Sequence, residues 1–173
     1  MNPIKIAIVG PESTGKSALT EELSAHYKTA YVPEIAREYL EHLHRPYEEK
    51  DLLEIAIQQC KREDWEASSA KGLLICDTNL LVIKIWSEFK YRKCDPWIVS
   101  EENKRSYDLI LLMDIDLPWE SDPLREHPDQ RKELFSIYYR SLIQKNTPFK
   151  IVFGMGDERL KRAIKYVDAL LRH

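Results

Sequence analysis

The stretch Gly10-Pro11-Glu12-Ser13-Thr14-Gly15-Lys16-Ser17 decides the fold of this chain, because it matches the pattern G-x-x-x-x-G-K-[ST]. The apolar run 4–9 precedes it and predicts a strand, and the run 18–27 follows it with helical spacing. A strand, a loop and a helix in this order surround one anionic group with backbone N–H groups and the positive end of a helix dipole. The stretch therefore predicts a phosphate-binding loop, and a chance match in a turn is the weaker interpretation.

The residue types in this loop suit the phosphates of ATP. Glycine at positions 10 and 15 allows backbone angles and a close approach that a Cβ would block. Lys16 can reach the β and γ phosphates, and the Ser17 hydroxyl can ligate Mg²⁺, which prefers oxygen ligands. We expect this loop to hold the nucleotide through Gly10, Glu12, Ser13, Thr14, Gly15, Lys16, Ser17 and Ala18.

Composition limits the class of protein. The 173 residues are 43% hydrophobic and 32% charged, as expected of a single domain over 1–173. The net charge of −3, from 26 basic and 29 acidic residues, argues against a general nucleic-acid binder. No run has the length of a membrane span, and the three cysteines are widely spaced and odd in number. We expect a cytoplasmic protein that binds neither nucleic acid nor membranes, and the sequence leaves its oligomeric state open.

Strand-like runs alternate with helix-like runs along the chain. Further strands are predicted at 29–32, 72–77, 107–113 and 149–153, and helices at 34–40, 49–70, 80–91, 100–106, 129–145 and from 156 or 157 to 171. Residues 94–97 are predicted as a turn around Pro96. The alternation predicts an α/β fold of three layers, the P-loop NTPase fold, in which helices flank a five-stranded parallel sheet.

The segment 116–131, called the lid segment below, contains three prolines and many charges and is too long for a tight turn. Segments of this kind often close over a substrate, although a solvated polar loop is the alternative. Arg125 and Arg131 could swing onto a transferring phosphate, where a guanidinium stabilises the developing charge. Trp119 either anchors the segment to the core or stacks on a substrate ring.

Two predicted strands are followed by acidic residues. The wholly apolar run 72–77 suits a buried parallel strand and ends in Asp77, at the edge of the sheet where the phosphate loop lies. An acid at this position handles Mg²⁺ directly or through water, and a helix N-cap is the alternative. Glu34 and Arg37, three residues apart, follow another strand and could contact a ligand or form a solvated ion pair. Thr78 and Asn79 could hydrogen-bond a sugar.

These features together favour a nucleotide-dependent phosphotransferase. A GTPase would carry an N-K-x-D motif, which neither 103–106 nor 145–146 completes. A motor or an AAA-type ATPase would normally be larger and would carry partner-contact elements that this sequence does not show. In a phosphotransferase of this class, the loop after the last strand, which begins at Gly154, borders the adenine.

The motifs resemble the ribosylnicotinamide kinase domain of the bacterial NAD-salvage family. The resemblance spans nearly the whole chain and rests on 7–17, Pro33-Glu34 with Ala36-Arg37-Glu38, Cys76-Asp77-Thr78, and Pro118-Trp119 through Asp122-Pro123-Leu124-Arg125. It implies ATP-dependent phosphorylation of the 5′-hydroxyl of nicotinamide riboside, which gives nicotinamide mononucleotide.

The chain departs from this family at two places. Because the phosphate loop begins at residue 10, we expect neither an adenylyltransferase nor a helix-turn-helix, so the chain would be a stand-alone kinase domain. Pro33 stands where some members carry an aromatic residue that can stack on the nicotinamide ring. Either Tyr31, Trp86 or Trp119 supplies the stacking partner, or the substrate differs.

The resulting hypothesis gives each residue a role. Lys16 and the phosphate loop hold ATP, Ser17 and Asp77 hold Mg²⁺, and Arg125 and Arg131 close over the phosphates. Asp77 or Glu34 accepts the proton of the attacking hydroxyl, and Asp77 is favoured because it faces the loop. The substrate contacts are assigned to Glu34, Arg37, Asp77, Thr78 and Trp119. A kinase of another nucleoside or nucleoside monophosphate, and a nucleotide-binding regulator without transferase activity, stay open as alternatives.

Overall fold

The computed structural model describes residues 2–172, in which five strands alternate with seven helices. The elements are β1 (Ile4–Val9), α1 (Lys16–Tyr27), β2 (Tyr31–Val32), α2 (Ile35–Glu41), α3 (Glu49–Ser69), β3 (Leu73–Asp77), α4 (Leu80–Tyr91), α5 (Pro96–Lys104), β4 (Leu109–Met113), α6 (Arg131–Gln144), β5 (Phe149–Val152) and α7 (Asp157–Leu171). None of these helices has the length and apolar character that crossing a bilayer requires.

All five strands are parallel, in the order β2-β3-β1-β4-β5. The sequence-based prediction of a five-stranded parallel sheet is therefore confirmed. Since β3 lies directly beside β1, with Asp77 opposite Ile8, the last residue of β3 emerges next to the phosphate loop. The order of the strands thus decides which two strand ends form the site.

Two apolar layers cover the faces of the sheet. Successive residues of a strand point to opposite faces. Ile6 and Ile8 accordingly pack in the cluster with α1 and α7, whereas Ala7 and Val9 pack in the cluster with α4 and α6. Helices on both faces explain why β1, β3 and β4 are nearly continuous apolar runs.

A third apolar cluster lies outside these layers and joins α3, α4 and α5. Leu52, Ile55, Ile83 and Ile98 form part of its buried centre, and Leu40 packs against it. This cluster seats α2, the short helix that carries Arg37, against α3 and beside the end of the sheet that bears the phosphate loop.

The structure corrects the prediction for residues 94–106. The chain forms helix α5 from Pro96 to Lys104, where the sequence suggested a turn and then a helix at 100–106. The Asp95 side chain accepts a hydrogen bond from the Trp97 N–H at 2.8 Å, and Pro96 occupies the first helical turn. An N-cap acid followed by proline is a helix start, and the proline was interpreted as a turn residue instead.

Candidate active site

The phosphate loop joins β1 to α1 in a conformation that depends on glycine. Gly10 has φ of 142°, and a Cβ built there would lie 3.0 Å from the carbonyl oxygen of Met113 in β4. Gly15 has φ of 76° and is the N-cap of α1, and because glycine has no side chain it cannot cap the first N–H groups of the helix. The first N–H groups of α1 therefore face the loop, as an anion-binding helix terminus requires.

Polar side chains of the loop bond within it. The Thr14 hydroxyl and the Lys16 ammonium each donate a hydrogen bond of 2.8 Å to the carbonyl oxygen of Pro11. The Lys16 ammonium thus lies across the mouth of the loop, where it can exchange a neutral carbonyl partner for a phosphate oxygen. Charge-assisted bonds to an anion are the stronger of the two kinds.

Asp77 is buried at the end of β3, with 3% of its surface exposed. Burial, together with the charge of Glu34, raises the pKa of Asp77 to about 6, and the neighbouring Ser17 hydroxyl and Lys16 ammonium oppose this shift. Among residues 2–172, its Oδ1 atom has no hydrogen-bond partner. A buried carboxylate oxygen without a partner beside a serine hydroxyl fits the oxygen ligand set of Mg²⁺.

Thr78 and Asn79 continue from β3 into α4. Thr78 has φ of 68°, and its N–H donates to the Ile8 carbonyl at 3.1 Å. Asn79 caps α4, since its side chain accepts a hydrogen bond of 3.1 Å from the Leu81 N–H. Both residues are buried. The structure therefore uses the Asn79 side chain, suggested above as a sugar contact, as a helix cap.

A cavity of about 580 Å³ opens above the phosphate loop, between α2, α4, α6 and the lid segment. The polar part of its lining consists of the loop together with Glu34, Arg37, Glu120, Arg125 and His127. The apolar part of the lining, called the apolar wall below, includes Leu40, Val82, Ile85, Trp86, Phe89, Leu134 and Tyr138. The volume lies in the range of small-molecule sites, and a phosphate site adjoins an apolar wall within it.

Part of the predicted site lines this cavity. The lining includes all eight loop residues from the prediction, Gly10 with Glu12 through Ala18, and also Glu34, Arg37 and Arg125. Within the described part of the chain, Asp77, Thr78, Trp119, Arg131 and Gly154 do not line it. Asp77 and Arg131 nevertheless lie beside lining residues, because Asp77 neighbours Lys16 and Ser17, and Arg131 bonds to Ser13.

The three aromatic residues proposed as stacking partners lie in different places. Trp86 forms part of the apolar wall. Tyr31 packs against the core between the sheet and α1. The Trp119 ring faces the guanidinium of Arg131, whose central carbon is 5.7 Å from the ring centroid. Of the three, Trp86 alone is among the described residues that line the cavity, and the assignment of Trp119 as a substrate contact stays a prediction.

The lid segment lies against the phosphate loop. Arg131 donates hydrogen bonds to the carbonyl oxygens of Ser13 at 3.2 Å and Leu117 at 2.9 Å. Arg125 donates to the Glu120 carbonyl at 2.6 Å and to the Ser13 hydroxyl at 3.4 Å. Both predicted lid arginines therefore stand within reach of the loop that would hold the phosphates.

Two further contacts hold this segment in place. The Glu12 carboxylate accepts hydrogen bonds of 3.0 Å from the N–H groups of Glu126 and His127. Arg37 forms an ion pair of 3.1 Å with Asp122 of the lid segment. The sequence alone left an ion pair with Glu34 as one alternative for Arg37. Glu12, predicted as a nucleotide contact, thus also ties the loop to the lid segment.

Sequence reasoning missed Arg159, which lies on α7 and is 6% exposed. Its guanidinium donates to the carbonyl oxygens of Thr14 and Gly154 and pairs with Asp116. The sequence did contain a signal for this residue, because Arg159 directly precedes the apolar stripe that begins at Leu160. A charged side chain that is buried at such a position needs an ion-pair or hydrogen-bond partner. Phe89 and Tyr138, which none of the motifs above includes, also line the cavity.

Comparisons with known proteins show where this chain has relatives. A family model described as "AAA domain" matches residues 5–159. The trifunctional NAD biosynthesis/regulator protein NadR of Escherichia coli (strain K12) is 23% identical over 175 residues, which cover 96% of this chain and 42% of that protein. The chain thus spans less than half the length of this curated relative.

Solved structures of low identity share the fold. A crystal structure of the NadR protein in complex with NR matches with a TM-score of 0.86 at 20% identity, over 99% of this chain and 52% of that chain. The deoxyadenosine kinase of M. mycoides with bound dATP matches with a TM-score of 0.63 at 16% identity, over 95% of this chain and 99% of that chain. These similarities confirm the predicted three-layer P-loop NTPase fold. The family model nevertheless carries the description AAA domain, whereas the sequence disfavoured an AAA-type ATPase because such a protein would normally be larger.

Proposed function

The chain belongs to the family described as AAA domain, and from the geometry of its cavity we propose that it is an ATP-dependent kinase of nicotinamide riboside. The reaction would transfer the γ-phosphoryl group of ATP to the 5′-hydroxyl of the riboside and release ADP and nicotinamide mononucleotide. The NadR relative and the NadR structure with NR support this choice of substrate.

One observation carries the proposal: a single cavity contains both the phosphate loop and an aromatic wall. Lys16 and the loop line this cavity, and so do Trp86, Phe89 and Tyr138. A phosphoryl donor and a small acceptor with a flat ring can therefore occupy one cavity. A motor protein has no need of such an acceptor wall beside its nucleotide.

The chemistry of the wall favours a pyridinium ring over a nucleobase. Recognition of a base edge uses amide side chains or other matched donors and acceptors. The wall residues of the described cavity include no Asn or Gln. The nicotinamide ring of the riboside carries a positive charge, which an indole face attracts at close range, and the Glu34 carboxylate adds a negative charge to the same cavity.

In this proposal the chain positions the reactants and stabilises charge. The loop N–H groups and Lys16 hold the phosphates, and Arg125 and Arg131 neutralise charge on the transferring group. Phosphoryl transfer depends mainly on such positioning and electrostatics. Ser17 and Asp77 would hold Mg²⁺, which would supply positive charge to offset the negative charge of the phosphates.

Glu34 is assigned as the general base that accepts the proton of the attacking hydroxyl, although the sequence favoured Asp77 for this role. Glu34 lines the cavity at the start of α2, whereas Asp77 is buried beside Ser17. A base must come within hydrogen-bond reach of the proton it accepts. Glu34 lines the cavity that would hold the acceptor, which supports this role, and Asp77 would then keep its carboxylate for the metal. Arg37 and Glu34 would orient the ribose.

A kinase of another nucleoside is the second candidate. It is favoured by the structural similarity to deoxyadenosine kinase, since the match covers 99% of that chain. A cytoplasmic location belongs to the same proposal and is supported by the three free cysteines, which a reducing compartment would preserve.

A substrate panel tests the proposal. Purified protein would be incubated with ATP, Mg²⁺ and nicotinamide riboside, common nucleosides or nucleoside monophosphates, and each product would be identified by mass. We expect nicotinamide mononucleotide to form fastest. Lys16→Ala and Asp77→Asn should each lower kcat at least about a hundredfold, as expected when a group that stabilises transition-state charge is removed.

Lys61→Ala is the matched control, because Lys61 is an exposed lysine on α3, away from the cavity. It should leave turnover unchanged. Phosphorylation of another nucleoside alone would assign the second candidate. ATP binding without any phosphorylated product would identify a regulator and overturn the proposal.

A further inference from the structure

A chain of hydrogen bonds connects the aromatic wall of the cavity to the phosphate loop. The Trp86 indole N–H donates to the Tyr47 hydroxyl at 2.9 Å, and the Tyr47 hydroxyl donates to the Glu126 carboxylate. The Glu126 N–H in turn donates to the Glu12 carboxylate at 3.0 Å. The four residues come from α4, the loop 42–48, the lid segment and the phosphate loop. The chain therefore joins four segments that surround or support the cavity.

Each hydrogen bond of the Tyr47 hydroxyl has a fixed direction. An indole nitrogen can only donate, and an ionised carboxylate can only accept. Burial, and then the bond to Glu126, raises the pKa of the Tyr47 phenol, so the phenol keeps its proton at physiological pH. The oxygen of Tyr47 must accept from Trp86 and give its one proton to Glu126. Removal of this oxygen breaks both bonds at once.

Other contacts hold the Tyr47 ring independently of its hydroxyl. The Lys90 ammonium lies 3.7 Å from the ring centroid and donates to the second oxygen of the Glu126 carboxylate at 2.8 Å. The Tyr47 and Trp86 rings meet edge to face, with centroids 5.0 Å apart. A phenylalanine at position 47 can therefore keep the ring in place and lose only the bridge.

We infer that Tyr47 and Glu126 are positioning residues, which fix the Trp86 indole while the lid segment lies against the phosphate loop. A ring that packs on the fixed indole favours the bridged arrangement, and so favours the closed lid segment. By linkage, closure of the lid segment strengthens binding of that ring by the same factor. The inference rests on the proposed function in one respect, namely that the ring on Trp86 belongs to the phosphoryl acceptor.

Tyr47→Phe tests the bridge, with Tyr27→Phe as its matched control. The Tyr27 hydroxyl also donates to a carboxylate, that of Asp168 at 2.7 Å, but it joins α1 to α7 away from the lid segment. With ATP and nicotinamide riboside, Tyr47→Phe should raise the acceptor KM about tenfold, the usual effect of a lost hydrogen bond to a charged group. The ATP KM and kcat should stay within about twofold. An unchanged acceptor KM, or an equal rise in both KM values, would overturn the inference.

Hydrogen exchange tests the same bridge without any ligand. Peptides that contain Glu126 and His127 should exchange faster in Tyr47→Phe than in the wild type, whereas Tyr27→Phe should leave them unchanged. Equal exchange in the two variants refutes the bridge. If the wild type does not phosphorylate nicotinamide riboside, the proposed function fails, and this comparison still decides whether Tyr47 holds the lid segment.

Discussion

Arg159 and Thr14 lie 145 residues apart in the chain, yet the guanidinium of one donates a hydrogen bond to the backbone carbonyl of the other. The same guanidinium bonds to the Gly154 carbonyl and pairs with Asp116, the first residue of the lid segment. A single buried side chain on α7 therefore supports three pieces of the site: the phosphate loop, the loop after β5 and the base of the lid segment.

Arg159→Met should weaken ATP binding and lower stability. The methionine keeps much of the buried volume but leaves two carbonyls and Asp116 without their donor, a loss of about 2–3 kcal/mol in the free energy of unfolding. We expect a lower midpoint in urea and an ATP KM raised about tenfold. Arg162→Met is the control, because Arg162 lies on the same helix but contacts Phe153 instead. Equal effects of the two variants would contradict the role of Arg159.

Gly10→Ala should destabilise the protein more than Gly72→Ala. Both glycines have positive φ, so alanine is strained at either position, at a cost of about 1–2 kcal/mol. Only at Gly10 does a Cβ meet backbone, 3.0 Å from the Met113 carbonyl oxygen, whereas at Gly72 the space is open. Urea unfolding should show a further loss of about 2 kcal/mol at Gly10. A loss at Gly72 as large as that at Gly10 would mean that contact with β4 is unimportant.

The ion pair between Arg45 and Asp51 should make stability depend on pH. A hydrogen bond from Arg45 is the main reason that the pKa of Asp51 lies well below its ordinary value of 3.8 in the folded protein. A depressed folded pKa gives stabilisation that is complete above the unfolded value and is lost as pH falls below it. The stability difference between wild type and Asp51→Asn should be about 1–2 kcal/mol at pH 7 and should shrink below pH 4.

Urea titrations at a series of pH values measure this difference. Asp129→Asn serves as the comparison, since Asp129 is exposed and forms no ion pair within residues 2–172. Its difference from the wild type should stay near zero at every pH. A constant difference for Asp51→Asn down to pH 3 would refute the assignment.

Glu12→Ala should loosen the lid segment. The alanine removes the acceptor of the Glu126 and His127 N–H groups, which then have no bond to the phosphate loop. Limited proteolysis within 116–131 should become about tenfold faster, because cleavage follows the population of the open segment. The control is Glu21→Ala, at an exposed position on α1, which should not change the rate of cleavage.

Trp86→Leu should affect the acceptor and spare the nucleotide. Loss of the indole face and its N–H should raise the KM for nicotinamide riboside about tenfold or more, the usual effect of removing a buried aromatic contact. The ATP KM should change by less than about twofold, because the phosphate loop is untouched. Trp65→Leu, at a tryptophan that is 63% exposed on α3, supplies the control for loss of a tryptophan. A larger effect on ATP than on the acceptor would place the ring elsewhere.

The sequence by itself determined the architecture and the identity of the phosphate loop. Strand and helix periods, the glycines at 10 and 15 and the acid at the end of β3 are local patterns, which depend on neighbours along the chain. Their spacing predicted every strand, with ends displaced by at most two residues. The start of α5 was predicted wrongly, because Pro96 after the N-cap Asp95 was interpreted as a turn residue. Local chemistry was sufficient here because backbone hydrogen bonds and alternating burial act over short distances.

Only the tertiary structure decided which side chains meet in the cavity. The sequence offered Tyr31, Trp86 and Trp119 as stacking partners and assigned Trp119 as a substrate contact, whereas packing of α4 on the sheet brings Trp86 into the wall. Contacts of Arg159 with Thr14, and of Glu12 with Glu126, join residues more than a hundred positions apart. Such pairs carry no local signal, because they depend on the order of the strands and on the path of the lid segment over the sheet edge.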